Sequence, residues 1–238
     1  MAAPRGSLAT SVQSALAATL QCPACRVRAC GPAGLCNACE DLLTAAVHAL
    51  PAPSGDTLWL GPHAGIWRRL VHALKYRHSR RLAGFLGQLL HTRLVRWSWQ
   101  PDVIVHVPTT TARRKERSYD QAELLAAALA QRATTAHMGL LKRRVSSAKL
   151  VGQGRAARAA SLAHAFAARP VTGRQVLLVD DVLTTGATLA AARTALTAAG
   201  AAEVRAAVVA RTAPSHEEGA ELAKALALLE PPPAGFGA

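Results

Sequence analysis

Apolar positions follow two periods along this chain, and the switches between them predict its elements. Residues 7–20 and 40–50 read as short helices, "PAPSG" (51–55) as a break and "TLWLG" (57–61) as a short strand. From Ile66 to Trp97 the apolar residues Leu70, Leu74, Leu82, Leu86, Leu89 and Leu90 recur at helical spacing, which predicts two helices with a turn near His78 and Ser79. "DVIVHVP" (102–108) is a compact strand, 120–133 a helix, and a further helix is expected to include Leu162 and Phe166. "RQVLLVD" is a strand, 186–199 a helix closed by Gly200, and "EVRAAVVAR" another strand. Strand, turn, helix and strand in that order predict an α/β fold with a parallel sheet. After Pro214 a helix and a disordered tail, "PPPAGFGA", are expected.

Composition refines this picture. Half of the 238 residues are hydrophobic but only 4% are aromatic, and alanine supplies much of the rest. Such a core is built from helices packed closely on a Val/Leu sheet. The formal charge is +14 and unevenly spread. Asp102 is the only acid from Thr57 through Lys115, a span with eleven Arg or Lys residues. From Leu124 to Val179 there is no acid against nine basic residues. A field of that sign attracts polyanions: a diphosphate, a nucleic acid or an anionic surface; a merely solvated Arg-rich surface is the plain alternative. The first 22 residues hold one Arg, and polar residues interrupt their apolar ones, unlike an export signal. Without a run of ~18 apolar residues no membrane span is expected, and the reading is a cytoplasmic protein with reduced thiols.

All five cysteines lie between positions 22 and 39. Cys22-x-x-Cys25 and Cys36-x-x-Cys39 are two hooks, and Gly31, Pro32 and Gly34 between them suit a tight reversal. Paired hooks at this spacing favour a structural Zn²⁺ held by four thiolates, with no open position for a substrate. A disulfide pair, an iron–sulfur cluster and a redox dithiol are the competing readings. Cys30 is the odd thiol, able to replace a neighbouring ligand.

In "VLLVDDVLTTGATL" (176–189) two adjacent acids end an apolar strand, and a Thr/Gly turn opens a helix. Free backbone N–H groups at a helix start, with the helix dipole, make an anion site at the carboxyl end of a sheet. Gly186 lets the backbone close on a phosphate, the amides of 184–188 including Ala187 point at it, and the hydroxyls of Thr184, Thr185 and Thr188 add donors. Asp180 and Asp181 are acceptors, suited to a vicinal diol and a nearby Mg²⁺. Together they describe a ribose 5-phosphate site. The bland alternative is two acids and three threonines that merely cap and start a helix. A Walker loop or G-x-G-x-x-G is absent.

This stretch resembles the 5-phosphoribosyl 1-diphosphate (PRPP) signature of type I phosphoribosyltransferases. The order of a four-cysteine module, "ALKYRHSRRLAGFLGQLL", "VPTTTARRKERSYDQAELLA" and the signature is similar to the ComF family, over roughly residues 20–212. The resemblance implies a parallel-sheet type I phosphoribosyltransferase-like core (101–213) behind a small N-terminal zinc module (1–50) and a helical hood (57–100), with 214–238 as C-terminal helix and tail. The family's K-Y-x-G here reads Lys75-Tyr76-Arg77-His78, its R-G-F-N-Q reads Arg117-Ser118-Tyr119-Asp120-Gln121, and its R-x-x-N-L reads Arg158-Ala159-Ala160-Ser161-Leu162.

The implied activity is PRPP-dependent glycosyl transfer. Asp180 and Asp181 would be the catalytic acids, Thr184–Thr188 the phosphate cradle, and Lys75, Thr109, Thr110 and Arg117 the diphosphate contacts, with Mg²⁺ bridging. The 148–158 segment, with Lys149 and Arg155, is expected to close over the site. Tyr119 is expected to pack, and the nine histidines are given no chemistry. Some family members serve DNA uptake in natural transformation, so the alternative is a single-stranded DNA-binding protein of competence with a non-catalytic PRPP-type site. A zinc-stabilised adaptor with a vestigial site is a third reading.

Overall fold

The computed structural model describes residues 21–76, 80–144 and 165–212. Helix α1 (Asn37–Ala49) begins within the second cysteine hook. Strand β1 (Thr57–Pro62), helices α2 (Gly65–Tyr76) and α3 (Arg80–Leu94) and strand β2 (Val103–His106) come next. A short α4 (Thr111–Arg117), α5 (Gln121–Ala133) and the strands β3 (Ala136–His137), β4 (Leu141–Arg143) and β5 (Phe166–Ala168) follow. The described chain closes with β6 (Gln175–Leu183), α6 (Ala187–Ala198) and β7 (Glu203–Arg211).

The main sheet has the order β1-β7-β6-β2-β3, parallel throughout, and β4 and β5 form a separate antiparallel pair. The α/β parallel-sheet expectation therefore holds. Segment 57–100, expected as the hood, also gives the sheet its edge strand β1, which pairs with β7. Phe166 corrects the expectation of a helix: it lies in β5, paired with Arg143 of β4, with the Arg143 guanidinium 4.7 Å from its ring centre. Tertiary pairing overrode the helix propensity of the alanines around it. Helix α4 was not anticipated; the Thr110 hydroxyl accepts from Arg113 N at 3.3 Å and caps it.

The run Val176–Val179 is continuously apolar because β6 is covered on both faces. Leu177 and Val179 pack in the core shared with α2, α3 and α5, whereas Val176 and Leu178 pack with Leu189, Ala192 and Leu196 of α6. Period two along the strand thus sends successive side chains to opposite helical layers. Leu35, Leu43 and Val47 of the cysteine module belong to the first of these cores. Arginines reinforce that attachment: Arg69 Nε donates to Ala24 O at 2.8 Å, Arg96 Nη1 to His48 O at 2.9 Å, and buried Arg93 to Pro51 O.

Helices α3 and α5 cross at Gly87, where a Cβ would lie 2.6 Å from the Ala128 Cβ and 3.0 Å from its carbonyl carbon. Gly87→Ala therefore overpacks this crossing despite its better helix propensity. The expected outcome is a loss of about 1–3 kcal/mol, read as a lower Tm by calorimetry; a Tm at or above wild type would refute the close approach.

Candidate functional site

Three elements meet at the carboxyl end of β6. Alternation places Asp181 on the side of Leu177 and Val179, facing α2 and α5, and it is 7% exposed. Burying a lone carboxylate is costly, and two side chains answer it. Lys75 Nζ of α2 lies 3.0 Å from Asp181 Oδ2, and Gln121 Nε2 of α5 donates to the same oxygen at 3.3 Å. Asp180 emerges on the other side, half-buried, and its Oδ1 accepts from the Asp181 amide at 2.8 Å. Burial and then the charge of Asp181 push the Asp180 carboxyl well above the usual carboxylate range, against the Asp181 amide and Lys75.

Beyond the acids, β6 continues to Leu183 and the chain turns through exposed Thr184 and Thr185. Gly186 is the N-cap of α6 at φ 77°, a conformation that side chains rarely adopt. No side chain caps this helix, so the first-turn amides around Ala187 and Thr188 face the turn without an internal acceptor. A cleft of about 520 Å³ runs from Gly186 along Leu189 and Ala190 to Arg193, which pairs with Asp56.

The β2–α5 connection forms the next wall. Thr109 and Thr110 lie half-buried just past β2. Asp120 organises both ends of this loop: Oδ2 accepts from Thr109 N at 2.7 Å, while Oδ1 accepts from Ala122 N and Glu123 N and caps α5. Arg117 is 8% exposed rather than a surface cation. Its guanidinium sits 5.1 Å from the ring centre of Tyr76, Nη2 donates to the Tyr76 hydroxyl at 3.4 Å, and Nε and Nη1 are buried with no acceptor among the described residues. Ser118, at the family's glycine position, takes φ 63° to let the chain turn between α4 and α5. Tyr119 packs as expected, its hydroxyl donating to Leu74 O at 2.5 Å. The structure thus gathers Lys75, Arg117 and the acids at one end of the sheet. The expected closing segment 148–158, Lys149 and Arg155 included, lies outside the described residues.

The cysteines form a second centre. Cys22, Cys25, Cys36 and Cys39 bring their sulfurs within 4.8 Å of one another, with Cys25 and Cys36 Sγ 3.8 Å apart. Tetrahedral thiolates at ~2.3 Å from zinc are separated by ~3.8 Å, so the cluster fits that ion. Cys36 is the N-cap of α1 and Cys39 stands in its first turn, so the second hook is the start of a helix. Burial pushes the Cys25 thiol up, but the backbone amides of Arg28 and Val27 and the neighbouring thiols outweigh it and bring it down to about 7. Cys30 stands outside the cluster, its Sγ 3.4 Å from Gly34 O.

A model of the phosphoribosyl transferase domain matches residues 120–232. The DNA utilization protein YhgH of Escherichia coli (strain K12) is 31% identical over 176 residues, covering 68% of this chain and 74% of that protein. YhgH of Salmonella typhimurium (strain LT2) is 30% identical over 198 residues, 80% of this chain and 84% of that one. This chain belongs to the ComF family. Its core is a type I phosphoribosyltransferase-like sheet behind a four-cysteine module. Among solved structures, glutamine PRPP amidotransferase from B. subtilis aligns with a TM-score of 0.41 and 21% identity, covering 58% of this chain and 30% of that one. The purine phosphoribosyltransferase from Pyrococcus horikoshii Ot3 gives 0.35 and 17%, covering 66% and 89%. Among the described residues no helix is long and apolar enough to cross a membrane.

Sequence reasoning passed over the histidines of this ComF-family chain. His106 at the end of β2 and His137 of β3 meet across the parallel pair, Nδ1 to Nε2 at 3.0 Å. Burial, then the charges of Lys75 and Arg68, hold His63, just after β1, below its ordinary pKa, against the charge of Asp181. Strand pairing between distant segments carries no local signal, so spacing could not have found the pair. Burial lowers the pKa of His106 and of His137, and each is further influenced by neighbouring charges. Their neutral forms are favoured by folding, so this contribution is complete above about pH 6.5 and is lost as pH falls through the depressed folded values. Melting curves from pH 7.5 to 5 should show wild type losing Tm more steeply than His137→Gln; parallel curves would refute the assignment.

Proposed function

We propose that this protein binds PRPP, or a ribose 5-phosphate ligand of that type, with Mg²⁺ at the β6–α6 turn, and acts as a PRPP-dependent transferase. The observation that carries the reading is the pairing of two acids at the end of the central strand with an uncapped helix opened by Gly186. The α6 amides and the hydroxyls of Thr184, Thr185 and Thr188 would take the 5-phosphate, where both the helix dipole and free N–H groups favour an anion. Asp180 and Asp181 would hold the ribose hydroxyls directly or through water. Burial and the neighbouring charge of Asp181 disfavour the ionised form of Asp180, and a divalent cation beside it would offset that cost. Mg²⁺, when bound, would supply charge neutralisation to the diphosphate.

Transfer would expel diphosphate from the ribose C1 through an oxocarbenium-like state, so the protein's work is positioning and charge stabilisation. Lys75, Arg117 and the loop at Thr109 and Thr110 would face the departing diphosphate. Arg117 is suited to this because its buried Nε and Nη1 have no acceptor among the described residues. The four-cysteine cluster would hold a structural Zn²⁺ and complete no chemistry, since four thiolates fill its coordination.

A second reading, single-stranded DNA binding with a PRPP-type site that does no chemistry, is favoured by the relatives' name as DNA utilization proteins. Arg113, Arg114 and Lys115 on the exposed side of α4 add a cationic surface. Against it, Trp67, Trp97 and Trp99 are buried and Trp59 is half-buried, so the tryptophans offer no stacking platform.

Titration calorimetry with PRPP and Mg²⁺ should give saturable heat that Asp180→Asn/Asp181→Asn abolishes, at least a tenfold loss of affinity. No PRPP heat together with steeply salt-dependent DNA binding would replace the transferase reading with the second one. For the metal, Cys36→Ser should release zinc and lower the Tm; metal content equal to wild type by atomic absorption would overturn the ligand set.

A further inference from the structure

Gln121 opens α5, yet the helix does not need its side chain, since Asp120 already caps it. It is 6% exposed, among apolar neighbours such as Ala122, Leu125 and Ala126 of the same helix. Its Nε2 donates to Asp181 Oδ2 at 3.3 Å. An ionised carboxylate only accepts, so this contact fixes which way the amide faces and turns Oε1 away from Asp181. Oε1 is buried and has no donor among the described residues. Buried carbonyl oxygens nearly always find a donor, and one left open beside a ligand site points to a donor that arrives with the ligand. A leucine or methionine would fill the same space but withdraw the donor from Asp181; that contact uses Nε2 and leaves Oε1 without a role among the described residues.

The two consecutive acids do not share a face of the sheet. Asp181 looks to α2 and α5, while Asp180 is turned the other way with Oδ1 on the Asp181 amide. The acceptor beside Asp181 on its own face is therefore Gln121 Oε1. We propose that Gln121 is a ligand-binding residue whose Oε1 accepts a hydrogen bond from one hydroxyl of the ribose diol, next to the hydroxyl taken by Asp181. The inference rests on the ribosyl-phosphate reading and adds a third acceptor to it. A tertiary-fold neighbour, 60 residues from Asp181 in the chain, thereby contributes to reading a ribose against its deoxy forms.

The test pairs deletion of the hydroxyl with deletion of the acceptor. Ribose 5-phosphate and its 2-deoxy and 3-deoxy analogues are titrated, with Mg²⁺, into the full chain and into Gln121→Met and Gln121→Asn, whose folding is checked by circular dichroism. Wild type should prefer ribose 5-phosphate to one deoxy analogue by about tenfold. Either folded variant should lose most of that preference, over and above any affinity that the lost Nε2 contact to Asp181 costs all three sugars alike. Undiminished discrimination in a folded variant overturns the role of Gln121 and leaves the site reading standing. Equal loss for all three sugars means that Gln121 only supports the site's shape, and also overturns it. Wild type that binds none of the three sinks the ribosyl-phosphate reading and this inference with it.

Discussion

A carboxylate at the end of a doubly covered strand has nowhere inexpensive to go, and Asp181 shows how this fold resolves the difficulty. Its partners come from two helices that the chain makes before the strand itself: Lys75 near the end of α2 and Gln121 at the start of α5. With the Asp181 side chain only 10% exposed, losing Lys75 would strand a charge in a place where water screens it poorly. The contact therefore ties α2 to β6.

Next to this pair stands a second unusual charge. Arg117 is buried against Tyr76, and two of its nitrogens have no acceptor among the described residues. Tyr76 follows Lys75 in α2, and Arg117 precedes Gln121 by four residues, so the contacts close into a ring: Arg117, Tyr76, Lys75, Asp181, Gln121 and back along the chain. The turn that closes it runs through Ser118 at φ 63°. Glycine takes that conformation freely, whereas serine takes it at a cost of the order of 1 kcal/mol. The backbone keeps the turn that the family's glycine would make, and a hydroxymethyl group now stands beside it.

How much of this was legible depended on whether the signal was local. The strands β6 and β7 and the helix between them were readable because both faces of β6 are covered and Gly200 ends α6. The cysteine cluster was readable because each hook is two residues wide. Phe166 was misread because the alanines around it favour a helix, while its pairing partner Arg143 lies 23 residues away. The partners of Asp181 and the meeting of His106 with His137 depend on tertiary approach, and no spacing announces them. That Asp180 and Asp181 must face opposite layers was implicit in period two, given that β6 runs on to Leu183.

The position of the cysteine module follows from the same helix that serves the site. Arg69, which holds the first hook through Ala24 O, and Lys75, which holds Asp181, are six residues apart on α2. At 1.5 Å per residue they are separated by about 9 Å along one rigid axis. Leu70 and Leu74 on that helix pack in the core that also receives Leu35, Leu43 and Val47. Whatever joins the two hooks thus steadies the middle of α2, where Arg69 stands, and the C-terminal end of that helix presents the lysine. The cysteine module can in this way bear on the site: it helps to set where a helix lies, and the helix sets where a charge lies.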